Sequence, residues 1–217
     1  MKKLFLLVLL GGICLAGSVN AQLQKGTRYW GATITGNGDH NKYEYPQGAE
    51  WKGNVLNVTP SVQAGWFIGD NKMFGFRLSP SLTRARNKNN NPSGDFNSGY
   101  NMMAINLAPY LRHYKSLSPK WAIYLHSAVN LAYLRSKNFD ADNKIFENGY
   151  SGGIYVNPGV SFWVTPRFSL ESDINVLSLN LSYTHFNDDN TFNFNTGITS
   201  SISQYFGIRA SWYLQPK

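Results

Sequence analysis

The sequence predicts an all-β protein that folds as an eight-stranded antiparallel up-and-down β-barrel. Apolar and polar residues alternate with a period of two, as in strands whose two faces meet different surroundings. The predicted strands are joined alternately by tight turns and by long polar loops. Aromatic residues make up 15% of the chain and charged residues another 15%, a composition typical of barrels with an apolar outer face.

The N-terminus has the pattern of a secretory signal. Two lysines precede the apolar run Leu4–Leu10, and Val19-Asn20-Ala21 fits a small-x-Ala cleavage site. We therefore expect a signal peptide over residues 1–21 and one barrel domain over residues 22–217. An anchor helix is disfavoured because the apolar run is shorter than the ~20 residues of a membrane span. A lipoprotein signal at Cys14 is disfavoured because isoleucine, not a small residue, precedes it.

Eight strands are predicted from the alternation. It is clearest from Phe192 to Leu214, where one face is mainly apolar and the other is polar or small. This period of two indicates a strand and argues against a helical stripe. The predicted strands cover residues 25–35, 53–69, 73–85, 99–115, 121–135, 150–164, 168–186 and 191–214.

The connections alternate in length. Tight turns are predicted at residues 69–72, 117–120 and 165–167. Long loops rich in Asn, Gly, Asp and Lys are predicted at residues 36–52, 86–98 and 136–149. Short turns at one end and long loops at the other are typical of bacterial outer-membrane barrels.

Four predicted strands contain a proline, although proline cannot donate to a strand ladder. Each lies about eight to ten residues from the nearest tight turn and shares the apolar face of its strand, at roughly 20–25 Å along a tilted strand. We expect them to form a ring where the apolar band ends at the loop side. They are Pro60, Pro80, Pro109 and Pro158.

The apolar face carries aromatic rings near the tight-turn end, and such rings form belts at membrane–water interfaces. The opposite face is rich in small and polar residues, as a narrow lumen requires. We therefore predict a transmembrane barrel of the outer membrane, with periplasmic turns and extracellular loops. A soluble lipocalin-like barrel is the alternative. The predicted interface aromatics are Trp66, Phe74, Trp121, Phe168 and Trp212.

The hairpin units "SVQAGWFIGDNKMFGFRL" and "PGVSFWVTPRFSLESD" and the closing "FGIRASWYL" carry a family resemblance. Together with the signal, they make the whole mature chain resemble the outer-membrane protein β-barrel domain family, the small eight-stranded single barrels. The resemblance implies that the barrel-assembly machinery recognises the last strand, and most members lack an assigned activity. The outward residues of that strand are Phe206, Ile208, Ala210, Trp212 and Leu214.

Charged residues on the inward face fall about four to seven residues from the tight-turn end, so we expect one layer across the barrel. Charges withdrawn from water must pair, and an eight-stranded barrel is only wide enough for side chains. We predict a structural salt-bridge plug, with a catalytic or proton-handling site as the less favoured alternative. The predicted members are Arg77, Arg112, His126, Glu171, Asp173 and Arg209.

No enzyme, metal or cofactor is predicted. A lipid-modifying hydrolase would need a cooperating base and nucleophile, but His126 and Ser127 are strand neighbours that point to opposite faces. His113 has no serine or acid that we can place beside it. The histidines are scattered, and the only cysteine lies in the signal.

The net charge of +8 predicts an anionic lipid surface as partner, since no basic cluster suited to nucleic acid is present. Arg84, Arg86 and Lys88 lead into the second long loop. We weigh equally an ordinary solvated loop and a contact to anionic glycolipid phosphates through charge-assisted hydrogen bonds.

The last predicted hairpin has strands about twice the roughly 9–11 residues that a membrane strand needs. Its first strand also changes the face on which apolar residues lie, between Val176 and Leu177. We expect a bulge or an exit from the membrane, and a two-stranded blade above it. An exposed strand edge recruits partners. A monomeric structural barrel is therefore the first hypothesis, and a surface adhesin with an extracellular ligand is the second.

Overall fold

The computed structural model describes residues 23–44, 50–91, 94–140, 143–174, 178–196 and 206–216. The predicted signal peptide lies outside these ranges. Ten strands are present in the described chain: β1 Arg28–Glu44, β2 Glu50–Gly69, β3 Lys72–Asn91, β4 Gly94–Ser118, β5 Trp121–Asp140, β6 Asn143–Thr165, β7 Phe168–Ile174, β8 Leu179–Phe186, β9 Asp189–Thr196 and β10 Phe206–Leu214. No helix long and apolar enough to cross a membrane is found in the part of the chain described here.

Eight of these strands close into a ring. Strands β1 to β6 pair in chain order, β6 pairs β7, β7 pairs β10, and β10 returns to β1, every pair being antiparallel. The closing seam runs from Arg28↔Leu214 to Ala32↔Ala210. The predicted fold class, an all-β eight-stranded up-and-down barrel, is confirmed.

The alternation of side chains along each strand gives the barrel wall an inner and an outer face. On β5, Tyr124 and His126 are buried in the interior, whereas Ile123 and Leu125 expose 42% and 48% of their surface outward. Because successive side chains of a strand point to opposite faces, the polar and aromatic residues line the lumen while the aliphatic residues cover the outside.

The tight turns are confirmed. The hairpin β2–β3 turns through Asp70 and Asn71, β4–β5 through Pro119 and Lys120, and β6–β7 through Pro166 and Arg167. Asn71 has a φ of 60°, a left-handed conformation that asparagine tolerates better than most residues.

The predicted long loops are largely wrong, because the strands continue into them. The β1–β2 ladder remains paired as far as Glu44↔Glu50, and β3–β4 as far as Asn91↔Gly94. Backbone groups alone hold such a ladder once its register is set, so the Asn- and Gly-rich segments extend the hairpins although they lack an apolar face.

The predicted seventh strand is divided into two. β6 pairs with β7 up to Gly159↔Asp173 and resumes with β8 at Val156↔Leu179. Three steps along β6 correspond to six along its partner. The difference is odd, so the side of the strand that faces outward changes between Asp173 and Leu179. Val176 and Leu177, where the sequence shows the change, lie outside the described residues.

The predicted free-standing blade is wrong. β8 pairs with β6 from Gly149↔Phe186 to Val156↔Leu179 and with β9 on its other side. The β8–β9 hairpin therefore continues the barrel wall above β7. The predicted eighth strand corresponds to β9 and β10, and residues 197–205 between them lie outside the described chain.

The prolines occupy gaps in the ladders. Pairing between β2 and β3 is interrupted between residues 58 and 62, and Pro60 and Pro80 lie opposite each other in this gap. Ser79 donates a hydrogen bond from its hydroxyl to that of Ser61 at 2.8 Å in the same place. The two prolines, which lack backbone N–H donors, therefore lie in the same interruption of the β2–β3 ladder. The hydrogen bond between Ser79 and Ser61 spans this interruption.

The other two prolines follow the same rule. Pro109 lies in a gap of the β4–β5 ladder, and Pro158 lies where β6 changes partner from β8 to β7. The expectation that the prolines mark the end of the apolar band is wrong. Leu56 and Met103 lie beyond the prolines toward the loop end, and these apolar side chains are 51% and 58% exposed on the outer face.

Candidate functional site

The candidate site is a hydrogen-bonded cluster in the barrel interior, which we call the inner network. It consists of Tyr29, Gln63, Arg112, Tyr124, His126, Tyr155, Glu171, Asp173, Arg209 and Tyr213, contributed by β1, β2, β4, β5, β6, β7 and β10. Arg112, His126 and Tyr29 are completely buried. All lie on inward-facing positions, because each strand presents alternate residues to the lumen.

Glu171 on β7 is the centre of the inner network, and its carboxylate accepts hydrogen bonds from five side chains. Two are arginines, so the contacts are charge-assisted and stronger than neutral ones. The donors are Arg112 Nη1 at 2.9 Å, Arg209 Nε at 3.0 Å, Tyr29 Oη at 2.8 Å, Ser161 Oγ at 3.3 Å and Tyr213 Oη. Two arginines and three hydroxyl groups therefore compensate the charge of Glu171.

Asp173 forms the second acidic position. Arg209 donates to it from Nη1 at 3.1 Å and from Nη2 at 3.0 Å, the bidentate geometry that suits a guanidinium and a carboxylate. Tyr124 also donates its hydroxyl proton to Asp173 at 2.6 Å. Since Arg209 also contacts Glu171, one arginine joins the two carboxylates.

Arg112 fixes the tautomer of His126. Arg112 Nε donates to His126 Nδ1 at 2.7 Å, and a guanidinium can only donate. Nδ1 is therefore an unprotonated acceptor, and the ring proton lies on Nε2, which is 3.0 Å from the Tyr155 hydroxyl. Arg112 Nη2 also donates to Gln63 at 2.7 Å. His126 serves as a neutral link between two partners.

Arg77 is not joined to the inner network by a hydrogen bond, although it stacks on one of its members. Five of the six inward charged or ionisable residues singled out from the sequence are joined by hydrogen bonds, whereas Arg77 stacks over the Tyr155 ring with its Cζ 5.0 Å from the centroid. Across the described ranges it forms no ion pair or hydrogen bond, and its Nε is buried without a partner. The expectation that Arg77 is paired with an acid is wrong, because Arg112 and Arg209 occupy both carboxylates.

The geometry of the inner network offers little for chemistry. The acid oxygens are bound by arginine and tyrosine donors, and His126 is held on both nitrogens. Ser127 lies on the opposite face of β5 from His126, as expected for neighbours on a strand. Across the described residues, no three His, Cys, Asp or Glu side chains are placed to bind a metal ion.

Tyr29, Gln63 and Tyr213 were missed by the sequence reasoning. Each lies on an inward position within a few residues of the tight-turn end, as the charged residues do. A search of that layer for all hydrogen-bonding side chains, not only charged ones, would have found them.

Aromatic rings cluster on the outer face at the tight-turn end. The ring centroids of Trp66 and Phe74 are 5.3 Å apart, as are those of Phe168 and Trp212. Trp121 lies 4.7 Å from Phe162, a partner that the sequence reasoning had not included. We call these six rings the lower girdle.

A second row of rings lies on the outer face toward the loop end, and the sequence reasoning missed it. The register places Tyr133 opposite Tyr150 on β5 and β6, and Tyr183 opposite Phe192 on β8 and β9. All four expose between 42% and 67% of their surface. We call these four residues the upper girdle.

Basic side chains lie beyond the apolar part of the outer face. Arg86 donates to the carbonyls of Ala85 at 2.7 Å and Tyr100 at 3.2 Å and to Asn101 at 2.9 Å. Its guanidinium also lies 4.3 Å from the centroid of Phe139. Burial and the nearby Arg84 lower the pKa of Arg86 from its ordinary value.

Arg84 is exposed, and within the described residues no hydrogen bond or ion pair engages it. Together with Arg86, it lines a surface cavity of about 500 Å³ that also includes His40 and Leu56. Lys88 is exposed two residues further on. Sequence reasoning missed Arg135 and Lys137, which lie at the same end of β5 and approach the Phe146 ring.

Ion pairs link β1 and β2 near the end of their hairpin. Lys42 Nζ lies 2.6 Å from Glu44 and 2.7 Å from Glu50, and Lys52 lies 3.0 Å from Glu50. Hydrogen bonds to the two carboxylates raise the pKa of Lys42, and the two lysines lower that of Glu50. Exposed pairs of this kind add little stability.

No family model matches the chain, and no curated protein sequence matches it. Among solved structures, the chain is similar to the crystal structure of neisserial surface protein A (NspA), with a TM-score of 0.41 and 13% sequence identity over 87% of this chain and 97% of that one.

Proposed function

We propose that this protein is a monomeric barrel of the bacterial outer membrane, with a structural role, no enzymatic activity and a lumen closed by the inner network. The lower girdle would lie at the periplasmic interface and the upper girdle at the outer interface. The long hairpins would then extend beyond the outer leaflet.

The spacing of the two girdles carries the membrane proposal. Trp121 and Tyr133 lie twelve residues apart on the same face of β5, which is roughly 40 Å along a strand. At the tilt of about 45° that membrane strands adopt, the vertical separation is about 28 Å, close to the thickness of a bilayer core. The residues between them include Ile123, Leu125 and Leu131, all exposed and apolar.

A soluble barrel would not have apolar side chains on its outer face and charged side chains inside. Its apolar residues would face inward and its polar residues outward, whereas here Glu171 and Arg112 are inside and the aliphatic residues are outside. Two aromatic rows bounding an apolar band are the outer-surface pattern of transmembrane barrels.

Closure of the lumen is supported by the inner network. Arg112 and Arg209 reach from β4 and β10 to the same carboxylate on β7, so side chains cross the interior. Each is 3% exposed or less. An interior just wide enough for side chains leaves no room for a water-filled path at this level.

Contact with anionic glycolipids is part of the proposal. Arg84, Arg86 and Lys88 on β3, with Arg135 and Lys137 on β5, follow the apolar band on the outer face. Phosphate groups of an outer leaflet would meet them there through charge-assisted hydrogen bonds. Arg84 is the best placed, because Arg86 is already bonded to two backbone carbonyls.

Replacing Leu125 by arginine tests the membrane proposal. Leu125 lies in the middle of the apolar band, where a cation facing lipid costs about 2–4 kcal/mol of folding free energy. The same change at Leu117, which is 60% exposed at the tight-turn end, should cost roughly 0–1 kcal/mol. Urea unfolding in lipid vesicles measures both. Equal losses at the two positions would show that lipid does not surround Leu125.

Replacing both Arg84 and Arg135 by glutamine tests the glycolipid contact. We expect the affinity of the folded protein for a bisphosphorylated glycolipid to fall about tenfold or more, since each charge-assisted contact is worth more than a neutral one. The rise of the thermal midpoint on adding the glycolipid to detergent micelles measures the affinity. The matched control replaces Lys120 and Arg167, exposed at the tight-turn end, and should keep the full rise. If the thermal midpoints of the two double mutants rise equally on adding the glycolipid, the basic residues of β3 and β5 are ordinary solvated positions.

Surface binding remains a second proposal and rests on β9. Phe192 and Phe194 are 67% and 59% exposed, and within the described chain β9 pairs on one side only, with β8. A strand edge with exposed rings can accept another strand. This role would add a partner to the membrane barrel without replacing it.

A further inference from the structure

We propose that the lumen holds a small anion at Arg77, on the loop side of the inner network. The anion would be a single compact group: a halide, or the carboxylate or phosphate of a small solute. The inference concerns the barrel interior alone and does not depend on whether lipid covers the outside.

The charges inside the barrel do not balance. At the level of the inner network, the described inward residues include three arginines, Arg77, Arg112 and Arg209, against two acids, Glu171 and Asp173. His126 is neutral, because Nδ1 accepts a hydrogen bond from Arg112. Arg112 and Arg209 take both carboxylates. One positive charge, on Arg77, is left without a counter-charge.

The guanidinium of Arg77 is also poorly satisfied. Its Nε is buried and has no hydrogen-bond partner. The Tyr155 ring, 5.0 Å from Cζ, compensates a cation only in part. Arg77 is only partly exposed. A partly buried charge without a counter-charge is less stable than a paired one, and an anion beside Arg77 would supply the counter-charge.

Polar groups without partners surround the same part of the lumen. Asn106, Asn130 and Asn157 each bury an amide oxygen that lacks a hydrogen-bond partner. They lie on the inward faces of β4, β5 and β6. Asn106 is opposite Ser79, two residues from Arg77 on β3, and Asn157 is opposite His126.

Rotation of a terminal amide exchanges its oxygen and nitrogen ends, and the two ends have nearly the same shape. Whichever way each amide is turned, the asparagine keeps two N–H donors, for which an anion in this part of the lumen is an acceptor. One guanidinium with several amide donors and no competing carboxylate makes a site for a negatively charged group. A cation finds no free acid there, because Arg209 holds Asp173.

Chloride binding to the detergent-folded protein tests the proposal. Chloride exchanging with a protein site broadens the chlorine NMR line, so titration gives the affinity. We expect saturable broadening for the unchanged protein and at least tenfold weaker binding for Arg77→Gln. Arg28→Gln, which removes an exposed arginine from the outer face of β1, should bind as the unchanged protein does.

A second variant keeps the test decisive if Arg77→Gln fails to fold, which loss of the heat-modifiable band on a gel would reveal. Asn157→Asp leaves Arg77 in place and supplies a carboxylate to the same part of the lumen, so it should also lose chloride binding at least tenfold. Displacement of chloride by acetate or by phosphate identifies carboxylate or phosphate ligands, and resistance to both identifies a halide site; either result supports an anion site. Equal chloride binding by folded Arg77→Gln and by the unchanged protein would overturn the proposal, as would broadening that never saturates in any of them.

Discussion

Replacing Glu171 by glutamine is expected to lower the free energy of unfolding by about 3–5 kcal/mol, because it leaves buried arginines without a counter-charge. Arg112 and Arg209 both bond to Glu171, which has no side-chain exposure. Glutamine has nearly the same shape but carries no charge, and its amide nitrogen would face donors where the carboxylate accepted five hydrogen bonds. The substitution therefore removes the electrostatic compensation while changing the packing little.

Urea unfolding in lipid vesicles or detergent measures the loss, with Glu44→Gln as the control. Glu44 pairs with Lys42, but its side chain is 72% exposed, so no measurable change is expected. Planar-bilayer recordings add a second readout. The unchanged protein should show no steady large conductance steps, whereas Glu171→Gln should admit transient leaks. A loss below about 1 kcal/mol would mean that the arginines do not depend on this carboxylate.

Replacing Gly159 by alanine is expected to cost about 3–5 kcal/mol, a large effect for one methyl group. Gly159 on β6 lies opposite Tyr124 on β5, and the Tyr124 ring lies directly over it. A Cβ at this position would overlap Tyr124 ring atoms. Overpacking alone costs about 1–3 kcal/mol, and displacing the ring also strains hydrogen bonds to charged groups, each worth about 1.5–3 kcal/mol. Those bonds join Tyr124 to Asp173 and Arg209.

Gly152→Ala is the matched control on the same strand. Its nearest atom beyond the neighbouring residues would be 3.8 Å from the new Cβ, an ordinary contact, so stability should hardly change. A double-mutant cycle gives the mechanism. If the Tyr124 ring causes the loss, Gly159→Ala should cost much less when Tyr124 is already alanine. Additive effects would place the strain in the backbone.

Much of the fold could be predicted from local pattern. The period of two gave the inward face of each strand because alternation follows from strand geometry alone. Turn residues such as Asn71 gave the tight turns. The ends of the hairpins toward the loops could not be predicted, because backbone hydrogen bonds extend a ladder through polar residues that have no apolar face to bury.

The position of the candidate site could be predicted from the sequence, but the pairs that its side chains form could not. Arg112, Glu171 and Arg209 lie on inward-facing positions at similar distances from the tight turns, so the sequence predicts that they share one layer of the interior. Which arginine reaches which acid depends on how far each side chain extends across the lumen, and no single strand carries that information. Arg77 was assigned to a salt bridge for this reason, although Tyr155 is its partner.

The narrow seam between β1 and β10 governs the order in which the barrel can be completed. Tyr29 reaches Glu171 from 142 residues away and Ser211 from 182 residues away. Contacts between such distant parts of a chain form late in folding. We therefore expect Glu171 to stay hydrated until β10 brings Arg209 and Tyr213 into place. Pairing of the last strand and dehydration of the interior would then be one event, and an intermediate that lacks β10 would hold water where the finished barrel holds ion pairs.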